Sequence, residues 1–250
     1  MSLAGKTCVV TGGAAGIGEA IARRLTATGA TVAVWDLDLE GARSLASELS
    51  GSAHRCDVSR RDEVEAAFSG TLEHHGHVDV LINNAGIGLA GPSELFSDDD
   101  WTRSIDVMQT GVFRCSQVVG RHMLERRSGT IVNISSINAW EAFPLRLAYC
   151  AAKAAVVSMT EVLAIEWADR GIRVNAVAPG VTRTALVQKA IEDGVVDVVR
   201  YEARTPLHRF GEPEEIARAV AFLADDEESS FVTGTTLRVD GGWSAQGWIF

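Results

Sequence analysis

Short apolar runs alternate with longer segments of mixed polarity along most of the 250-residue chain. Several of these runs are apolar throughout and rich in β-branched residues, which is typical of strands buried on both faces of a parallel sheet. The pattern predicts strands at 6–10, 31–35, 53–56, 79–82, 130–134, 172–178 and 237–239. It predicts helices at about 17–28, 39–50, 61–74, 101–126 and 148–169, and a final helix that begins at Gly211-Glu212-Pro213. An α/β fold is therefore expected, with a doubly wound parallel sheet of about seven strands and helices on both faces.

No linker, repeat or low-complexity segment interrupts this alternation, so residues 1–250 are expected to form a single domain. The segment 185–208 is weakly patterned, and we expect it to be a mobile lid. Open α/β sheets bind ligands at the carboxyl ends of their strands. The residues that follow each predicted strand are therefore the candidates for a site.

A glycine-rich turn, Thr11-Gly12-Gly13-Ala14-Ala15-Gly16-Ile17-Gly18, joins the first predicted strand to the first helix. Glycines let backbone N–H groups approach a pyrophosphate, and the helix N-terminus adds a favourable dipole. The spacing differs from the common G-x-G-x-x-G, and a purely structural turn is the alternative. Its place directly after the first strand favours a nucleotide site.

Asp36 ends the second predicted strand, eighteen residues after Gly18, near the spacing expected for a carboxylate on an adenosine ribose. A carboxylate would repel a 2′-phosphate, and no Arg or Lys lies in the glycine turn or directly after Asp36. The sequence therefore predicts NAD(H) rather than NADP(H). A helix N-cap at Asp36 or Asp38 is the alternative, and both roles can coexist.

Tyr149 and Lys153 lie four residues apart on the predicted helix 148–169, so their side chains share one face. A phenol has an ordinary pKa of about 10, and a fixed ammonium nearby favours the phenolate and lowers that pKa. Ser136, after the preceding strand, can hold a substrate oxygen beside the phenol. Together the three side chains predict proton transfer to or from an alcohol or a ketone. For Tyr-x-x-x-Lys alone, an amphipathic helix with a surface lysine is the better interpretation.

The composition narrows the partners and the compartment. A net charge of −10 argues against nucleic acid or an anionic membrane as the main partner. No apolar run approaches the ~18 residues of a membrane span, and no signal-peptide pattern is found, so a cytoplasmic protein is expected. Cys8 and Cys56, two of four cysteines without a C-x-x-C pair, are expected to be buried free thiols in a reducing compartment.

Three histidines, His74, His75 and His77, cluster where the helix 61–74 is predicted to end. No acidic residue or cysteine at ligand spacing completes a metal site, so no metal is predicted. We expect solvent-facing imidazoles near a helix C-terminus.

Taken together, these motifs resemble those of the short-chain dehydrogenase/reductase family. The resemblance extends from Thr11 to about Trp243 and rests on the order and spacing of several short motifs. These are Thr11-Gly12-x-x-x-Gly16-x-Gly18, Asp57, Asn83-Asn84-Ala85-Gly86, Ser136, Tyr149-x-x-x-Lys153, Asn175 and Pro179-Gly180. The resemblance implies a Rossmann-type fold and an NAD-dependent enzyme. It also implies a homotetramer with contacts through the helices 101–126 and 148–169.

The resemblance implies roles for individual residues as well. Tyr149 would be the acid/base, Ser136 would orient the substrate oxygen, and Lys153 would bind the nicotinamide ribose and lower the pKa of Tyr149. Asp36 would hold the adenosine ribose, and Asp57 with Val58 the adenine. The complete set implied for the cofactor is Gly12, Gly16, Ile17, Gly18, Asp36, Asp57, Val58, Asn84, Ala85, Gly86, Tyr149, Lys153, Pro179, Gly180, Val181 and Thr184.

One position departs from the family pattern, in which an Asn stands within a run like Val-Asn-x-x-Gly in the long helix. Here the run is Val107-Met108-Gln109-Thr110-Gly111. In the family, this Asn stabilises a local helix distortion, and a backbone carbonyl of the distorted turn holds a water beside the catalytic Lys. Met108 has no comparable donor or acceptor. Gln109 lies about 100° further around the helix. The proton path is expected to be slower or differently routed, although the carbonyl of residue 108 can still hold the water.

The favoured function is an NAD(H)-dependent oxidoreductase that interconverts a secondary alcohol and a ketone. A 3-oxoacyl-carrier-protein reductase is a narrower alternative, weakened by Asp36 because such reductases usually prefer the phosphorylated cofactor. An NAD(H)-binding sensor with little turnover is a second alternative, supported by Met108 alone. A serine hydrolase is disfavoured because Gly-x-Ser-x-Gly is absent.

The substrate is expected to be a small molecule bound by Ser136, Tyr149 and a pocket shaped by Asn138, Trp140, Arg146, Leu186 and Tyr201. Trp140 suggests an apolar or ring-bearing substrate. Arg146 permits a carboxylate or phosphate tail, but it can equally face solvent or a neighbouring subunit. The apolar end 247–250 is expected to pack at a subunit interface.

Overall fold

All seven predicted strands form, and they make one parallel sheet. The computed structural model describes residues 2–192, 194 and 196–247. The strands are β1 (Thr7–Thr11), β2 (Thr31–Asp36), β3 (Ser52–Arg55), β4 (Val80–Asn83), β5 (Gly129–Ile134), β6 (Ile172–Pro179) and β7 (Thr236–Val239). Their order in the sheet is β3-β2-β1-β4-β5-β6-β7, and every neighbouring pair is parallel. The strand order reverses between β1 and β4, so a crevice opens there at the carboxyl ends of the strands.

The helices alternate with the strands as expected of a doubly wound sheet. They are α1 (Gly16–Ala27), α2 (Leu39–Glu48), α3 (Arg61–His75), α4 (Asp98–Ile105), α5 (Gly111–Arg126), α6 (Leu147–Trp167), α7 (Ala185–Glu192), α8 (Val198–Arg204) and α9 (Pro213–Ala224). Residues of α1, α2 and α9 share one apolar cluster with the strands, and residues of α3, α5 and α6 share a second. The sheet is thus buried on both faces, which explains why its central strands are apolar throughout.

The predicted helix 101–126 is not continuous. It begins earlier, at Asp98, because the Ser97 hydroxyl accepts the backbone N–H of Asp100 and caps the first turn. A five-residue π-helix, Asp106–Thr110, then separates α4 from α5. Such a π-turn inserts one residue and shifts the apolar pattern by that residue only, so the sequence predicted one long helix.

The weakly patterned segment 185–208 contains two short helices, α7 and α8, rather than an irregular loop. The side chain of Asp197 caps α8 by accepting the backbone N–H of Arg200. Leu186 of α7 lies so close to Gly88 that a Cβ atom there would be 2.9 Å from its Cδ2. The segment therefore lies against the loop that follows β4, as a lid would.

Two expectations from composition can be compared with the structure. Cys8 and Cys56 are buried free thiols, and Cys115 is buried as well. The expectation that no segment reaches membrane-spanning length needs correction, since the helical stretch Leu147–Arg170 passes that test by length and composition, with a mean hydropathy of 1.4. Ala152 and Val156 on it are fully buried in the fold, and 33% of its apolar window is buried. The apolar residues 248–250 lie outside the described residues.

Candidate active site

A cavity of about 830 Å³ lies at the carboxyl ends of the strands. It extends from the end of β2, across the glycine turn and the loop after β4, to the N-terminal part of α6 and residues of α7 and α8. All sixteen residues that the family resemblance implies for the cofactor line this cavity. Ser136, Asn138, Arg146, Leu186 and Tyr201 line it too, so the structure brings most of the predicted site together.

The glycine turn is held open for a ligand by close backbone contacts. A Cβ atom on Gly12 would lie 2.8 Å from the Cα of Ala85, and one on Gly18 would lie 2.0 Å from the carbonyl oxygen of Gly12. The Asn84 amide donates to the carbonyl oxygens of Thr11 and Gly12, at 3.0 and 2.9 Å, and ties the turn to the loop after β4. Gly16 has a φ of +59°. A Cβ atom on it would lie no nearer to another segment than 3.7 Å, from Cγ2 of Thr184. This open backbone at the start of α1 fits a pyrophosphate.

Asp36 and Asp38 divide the two roles that the sequence left open. Asp38 caps α2, because its side chain accepts the backbone N–H of Gly41. Asp36 lines the cavity, and its two carboxylate oxygens accept the N–H groups of Ala14 and Asp38, each at 2.9 Å. These bonds fix its carboxylate beside the glycine turn, where it fits the hydroxyl groups of a ribose.

The end of the cavity near Asp36 has a wall that the sequence did not predict. Asp57 and Val58 line it as expected, and the Asp57 carboxylate accepts the N–H and hydroxyl of Ser59. One face of α4 completes this wall with Asp99, Thr102 and Arg103. This role of Asp99 is hidden in the sequence, because nothing local distinguishes a carboxylate at a helix start from one that also faces a cavity.

Ser136, Tyr149 and Lys153 meet at the other end of the cavity. Ser136 is 6% exposed, and its hydroxyl oxygen accepts the backbone N–H of Asn138 at 3.1 Å. Lys153 is 4% exposed, and its ammonium nitrogen lies 5.7 Å from the centroid of the Tyr149 ring. That ammonium donates to the carbonyl oxygen of Ile134 at 2.7 Å. The two residues of α6 therefore share one face, as predicted from their spacing.

Burial is the main influence on the pKa values of Tyr149 and Lys153. Burial raises the pKa of Tyr149 above its ordinary value, while a hydrogen bond with Ser136 and the charge of Arg146 act in the opposite direction. Burial also lowers the pKa of Lys153 to about 8. Arg146 is thus a cation that favours the phenolate, and the expected effect of Lys153 on the pKa of Tyr149 stays a prediction. Burial of the phenol exceeds both favourable effects.

The part of the cavity beside Tyr149 is largely apolar. Its walls include Ile87, Phe143, Leu186, Val187, Val196 and Tyr201. Tyr201 of α8 and Phe143 both pack near Trp243, with ring centroids 5.7 and 5.6 Å from its ring. Trp140, predicted to shape the pocket, does not line the cavity. Its indole lies 4.5 Å from the guanidinium carbon of Arg238 on β7, which draws it to the sheet edge.

Met108 lies at the centre of the π-turn between α4 and α5, and it is 1% exposed. The helix distortion therefore forms although the family's usual Asn is missing. The side chain of Met108 lies beside Gly86, since a Cβ atom on Gly86 would be 3.9 Å from Cγ of Met108. Met108 thus makes an apolar contact with the loop after β4.

The histidine cluster has no ligand geometry. No group of three or more possible metal ligands occurs among the described residues. His75 is not simply solvent-facing as expected, since its Nε2 lies 2.8 Å from the hydroxyl of Ser52, which also lies 3.1 Å from His54 Nε2. His77 lies 3.0 Å from the carboxylate of Asp79. These contacts tie the end of α3 to β3 and β4.

Comparison with known proteins places this fold and site in one family. The family model described as enoyl-(acyl carrier protein) reductase matches residues 12–244. Relatives include D-threitol dehydrogenase of Mycolicibacterium smegmatis, 41% identical over 97% of this chain and 94% of that protein. Another is 3β-hydroxysteroid dehydrogenase 1 of Eggerthella lenta, 42% identical over 96% of this chain and 94% of that protein.

Solved structures agree. The crystal structure of 3-ketoacyl-(acyl-carrier-protein) reductase from Brucella melitensis complexed with NADH has a TM-score of 0.91 at 34% identity, and the match covers 97% of this chain and 100% of that one. The sheet order, the cavity and these matches define an oxidoreductase with a Rossmann-type fold. The chain belongs to the short-chain dehydrogenase/reductase family, which confirms the resemblance found in the sequence.

Proposed function

We propose that this protein is an NAD(H)-dependent oxidoreductase that interconverts a secondary alcohol and a ketone. The observation that carries the proposal is the arrangement of one cavity. Ser136, Tyr149 and Lys153 stand at one end of it, and the open glycine turn and Asp36 stand toward the other. An extended nicotinamide dinucleotide would reach from Asp36 to the end of the cavity that holds Tyr149. A small substrate would fit between the nicotinamide ring and Tyr149.

The chemistry of the chain's own residues follows from this arrangement. When bound, the cofactor supplies the carbon that accepts or donates hydride. In oxidation, the Tyr149 phenolate accepts the hydroxyl proton of the substrate, whose oxygen is held by the Ser136 hydroxyl. The O–H electron pair then forms the carbonyl bond as the C–H pair leaves as hydride. Lys153 places a positive charge beside the Tyr149 ring, and its ammonium supplies N–H donors for the hydroxyl groups of a ribose.

The preference for NAD(H) rests on Asp36. Its carboxylate is fixed by two backbone N–H groups and lines the cavity, so a 2′-phosphate would meet a negative charge there. Leu37, which follows it and also lines the cavity, offers no compensating cation. Repulsion between two anions then disfavours NADP(H).

The experiment is an absorbance assay in the reduced-nicotinamide band, with purified protein, NAD or NADP, and secondary alcohols from aliphatic to cyclic and steroid. We expect NAD reduction by a panel member and none by Tyr149→Phe. The matched control is Tyr201→Phe, which removes the other tyrosine hydroxyl of the cavity. Activity with NADP alone would contradict the role of Asp36, and equal turnover in Tyr149→Phe would contradict the mechanism.

One alternative has a specific observation in its favour. The Brucella melitensis neighbour is a carrier-protein reductase complexed with NADH, so a preference for NAD(H) does not by itself disfavour an acyl-carrier substrate. Reduction of an acyl-carrier thioester at least tenfold faster than any free ketone would favour this alternative. A sensor without turnover would instead bind NAD and stay inactive on both classes.

A further inference from the structure

Three cationic side chains line the cavity, and they differ in surroundings. Lys153 is buried and donates to the carbonyl oxygen of Ile134. Arg103 lies on α4 with Asp99, and Asp106 of the π-helix follows, so this wall of the cavity carries charges of both signs. Arg146 is the cation at the end with Phe143, Leu186 and Tyr201, where the walls are largely apolar.

Arg146 has little to satisfy its guanidinium. Within the described part of the chain, its one hydrogen bond is donated to the carbonyl oxygen of Gly88, at 3.3 Å. No ion pair joins it to a carboxylate among those residues, although Arg173, Arg183 and Arg209 all have such partners. A guanidinium has five N–H donors. Most of those of Arg146 therefore remain for a ligand.

The backbone holds Arg146 in place at the entrance to α6. Leu145, directly before it, adopts a left-handed conformation with a φ of +66°, which is unfavourable for a residue with a branched side chain. The carbonyl oxygen of Leu145 accepts the N–H of Gly91 at 3.0 Å, which joins this turn to the loop after β4. Arg146 is then followed, one helical turn later, by Tyr149, whose phenol its charge stabilises as phenolate.

We propose that Arg146 selects substrates that carry a carboxylate, so that the preferred substrate is a hydroxy acid or oxo acid with an apolar body. This inference rests on the proposed function, because it assigns the substrate class of the same cavity. A single free guanidinium matches one negative charge and binds a carboxylate with two parallel hydrogen bonds. The apolar side chains that line the cavity beside it lower the local polarity and strengthen that pairing.

The activity test uses matched pairs that differ in the charge of the carboxyl group and in one methyl group. Each 2-, 3- and 4-hydroxy alkanoate of four to ten carbons is compared with its methyl ester, at saturating NAD. In the wild type we expect the best acid to exceed its ester in kcat/KM by about tenfold to a hundredfold, as for a hydrogen-bonded charge pair. Arg146→Gln should bring this ratio near one, mainly through KM, and Arg146→Lys should give an intermediate value.

Two features keep this ratio specific to substrate charge. Loss of Arg146 also removes a charge that stabilises the Tyr149 phenolate, but that effect is common to acid and ester and cancels in the ratio. The control is Arg200→Gln on α8, which makes the same change of charge on a side chain that is 88% exposed. It should leave the ratio unchanged. An ester as good as its acid in the wild type, or a ratio unchanged in Arg146→Gln, overturns the inference.

A binding measurement separates this inference from the proposed function. Hexanoate and hexanamide are titrated calorimetrically into the NAD-saturated protein. We expect hexanoate to bind at least about tenfold more tightly in the wild type and equally with hexanamide in Arg146→Gln. Turnover of neutral alcohols without any preference for hexanoate would leave the oxidoreductase standing and this inference overturned. A preference for hexanoate without turnover of any alcohol would do the reverse.

Discussion

At the scale of single residues, the site is built from groups that burial makes unfavourable in their charged forms. Lys153 is almost fully enclosed, and burial lowers its pKa to about 8. The same burial raises the pKa of the Tyr149 phenol. A folded protein keeps such groups only where a ligand or a reaction requires them. The cost of burying Lys153 should therefore be measurable in the free energy of unfolding.

Lys153→Met should stabilise the cofactor-free protein while it abolishes turnover. Below pH 8 the wild type must hold a charged ammonium in a buried position, and an unbranched apolar chain removes that cost. Because the carbonyl oxygen of Ile134 loses its donor, the net gain in the free energy of unfolding should be about 1–2 kcal/mol at pH 7. The measurement is urea denaturation.

The lowered pKa of Lys153 also makes the stability of the protein depend on pH. Its pKa in the folded state is lower than in the unfolded state, so the unfolded state binds more protons between pH 8 and the ordinary lysine value. The stability of the wild type thus rises with pH across that window, and its deficit relative to Lys153→Met should shrink. Lys189→Met, on the exposed side of α7, is the control and should change little. A destabilised Lys153→Met would contradict this account.

At the scale of elements, the π-turn Asp106–Thr110 shows that the backbone does not need an Asn to leave α-helical geometry here. Met108 fills the turn with an apolar side chain beside Gly86. In this contact Met108 meets Gly86, which has no polar side chain. We therefore expect Met108 to be part of the packing, and any proton route past it to use backbone carbonyls.

Met108→Asn should cost stability and give no gain in rate. The amide would be buried without assured partners, at a cost of about 1–3 kcal/mol in the free energy of unfolding. We expect kcat/KM to stay within about threefold of the wild type, since the turn already forms. Met108→Leu, which nearly conserves volume, should lose less than about 1.5 kcal/mol. A tenfold increase in kcat with unchanged stability would show instead that the side-chain amide restores a proton path.

The elements also show what the sequence reveals and what it hides. The strands were predictable because burial on both faces leaves continuous apolar runs, as in β1 and β6. The positions of Gly12, Tyr149 and Lys153 followed from local spacing. The π-turn was hidden because it shifts the apolar pattern by one residue only. The wall from α4 and the displacement of Trp140 depend on contacts between distant segments, Asp99 with the cavity and Trp140 with Arg238, which no local pattern records.

At the scale of the whole molecule, α5 and α6 expose apolar side chains. Ile165 is 81% exposed, and Val162 and Phe113 are about half exposed. The family resemblance implies a homotetramer with contacts through these helices, and we propose that assembly here. Burial of such side chains against a second copy would supply the hydrophobic free energy that they lack in the single chain.

Ile165→Glu should weaken that assembly. A carboxylate at the centre of an apolar contact loses its hydration without a partner, so we expect a shift to smaller species in sedimentation velocity. The control is Val199→Glu on α8, which alters an equally exposed apolar side chain away from these helices. A wild type that sediments as a monomer, or an Ile165→Glu variant with unchanged size, would contradict the proposed assembly.

The stability of the whole molecule should also fall on acidification, because two imidazoles share one hydroxyl at the end of the sheet. Ser52 lies between His54 and His75. Burial and the neighbouring histidines, His74 above all, lower the pKa of both, while Glu73 opposes this at His54. The folded state therefore binds fewer protons than the unfolded state just below the ordinary histidine pKa.

The contribution of this pair is fully present above about pH 6.5 and is lost as the pH falls toward the lowered values, by up to about 1.4 kcal/mol per pH unit for each imidazole. His54→Asn should remove about one proton from that dependence, measured as the slope of the free energy of unfolding against pH between 5 and 7. His208→Asn, an exposed histidine on the loop after α8, should leave the slope unchanged. Equal slopes in the wild type and His54→Asn would mean that the charged imidazole is accommodated beside Ser52. The acid sensitivity of the fold would then have to come from carboxylates, such as the Asp226 group that pairs with Arg173.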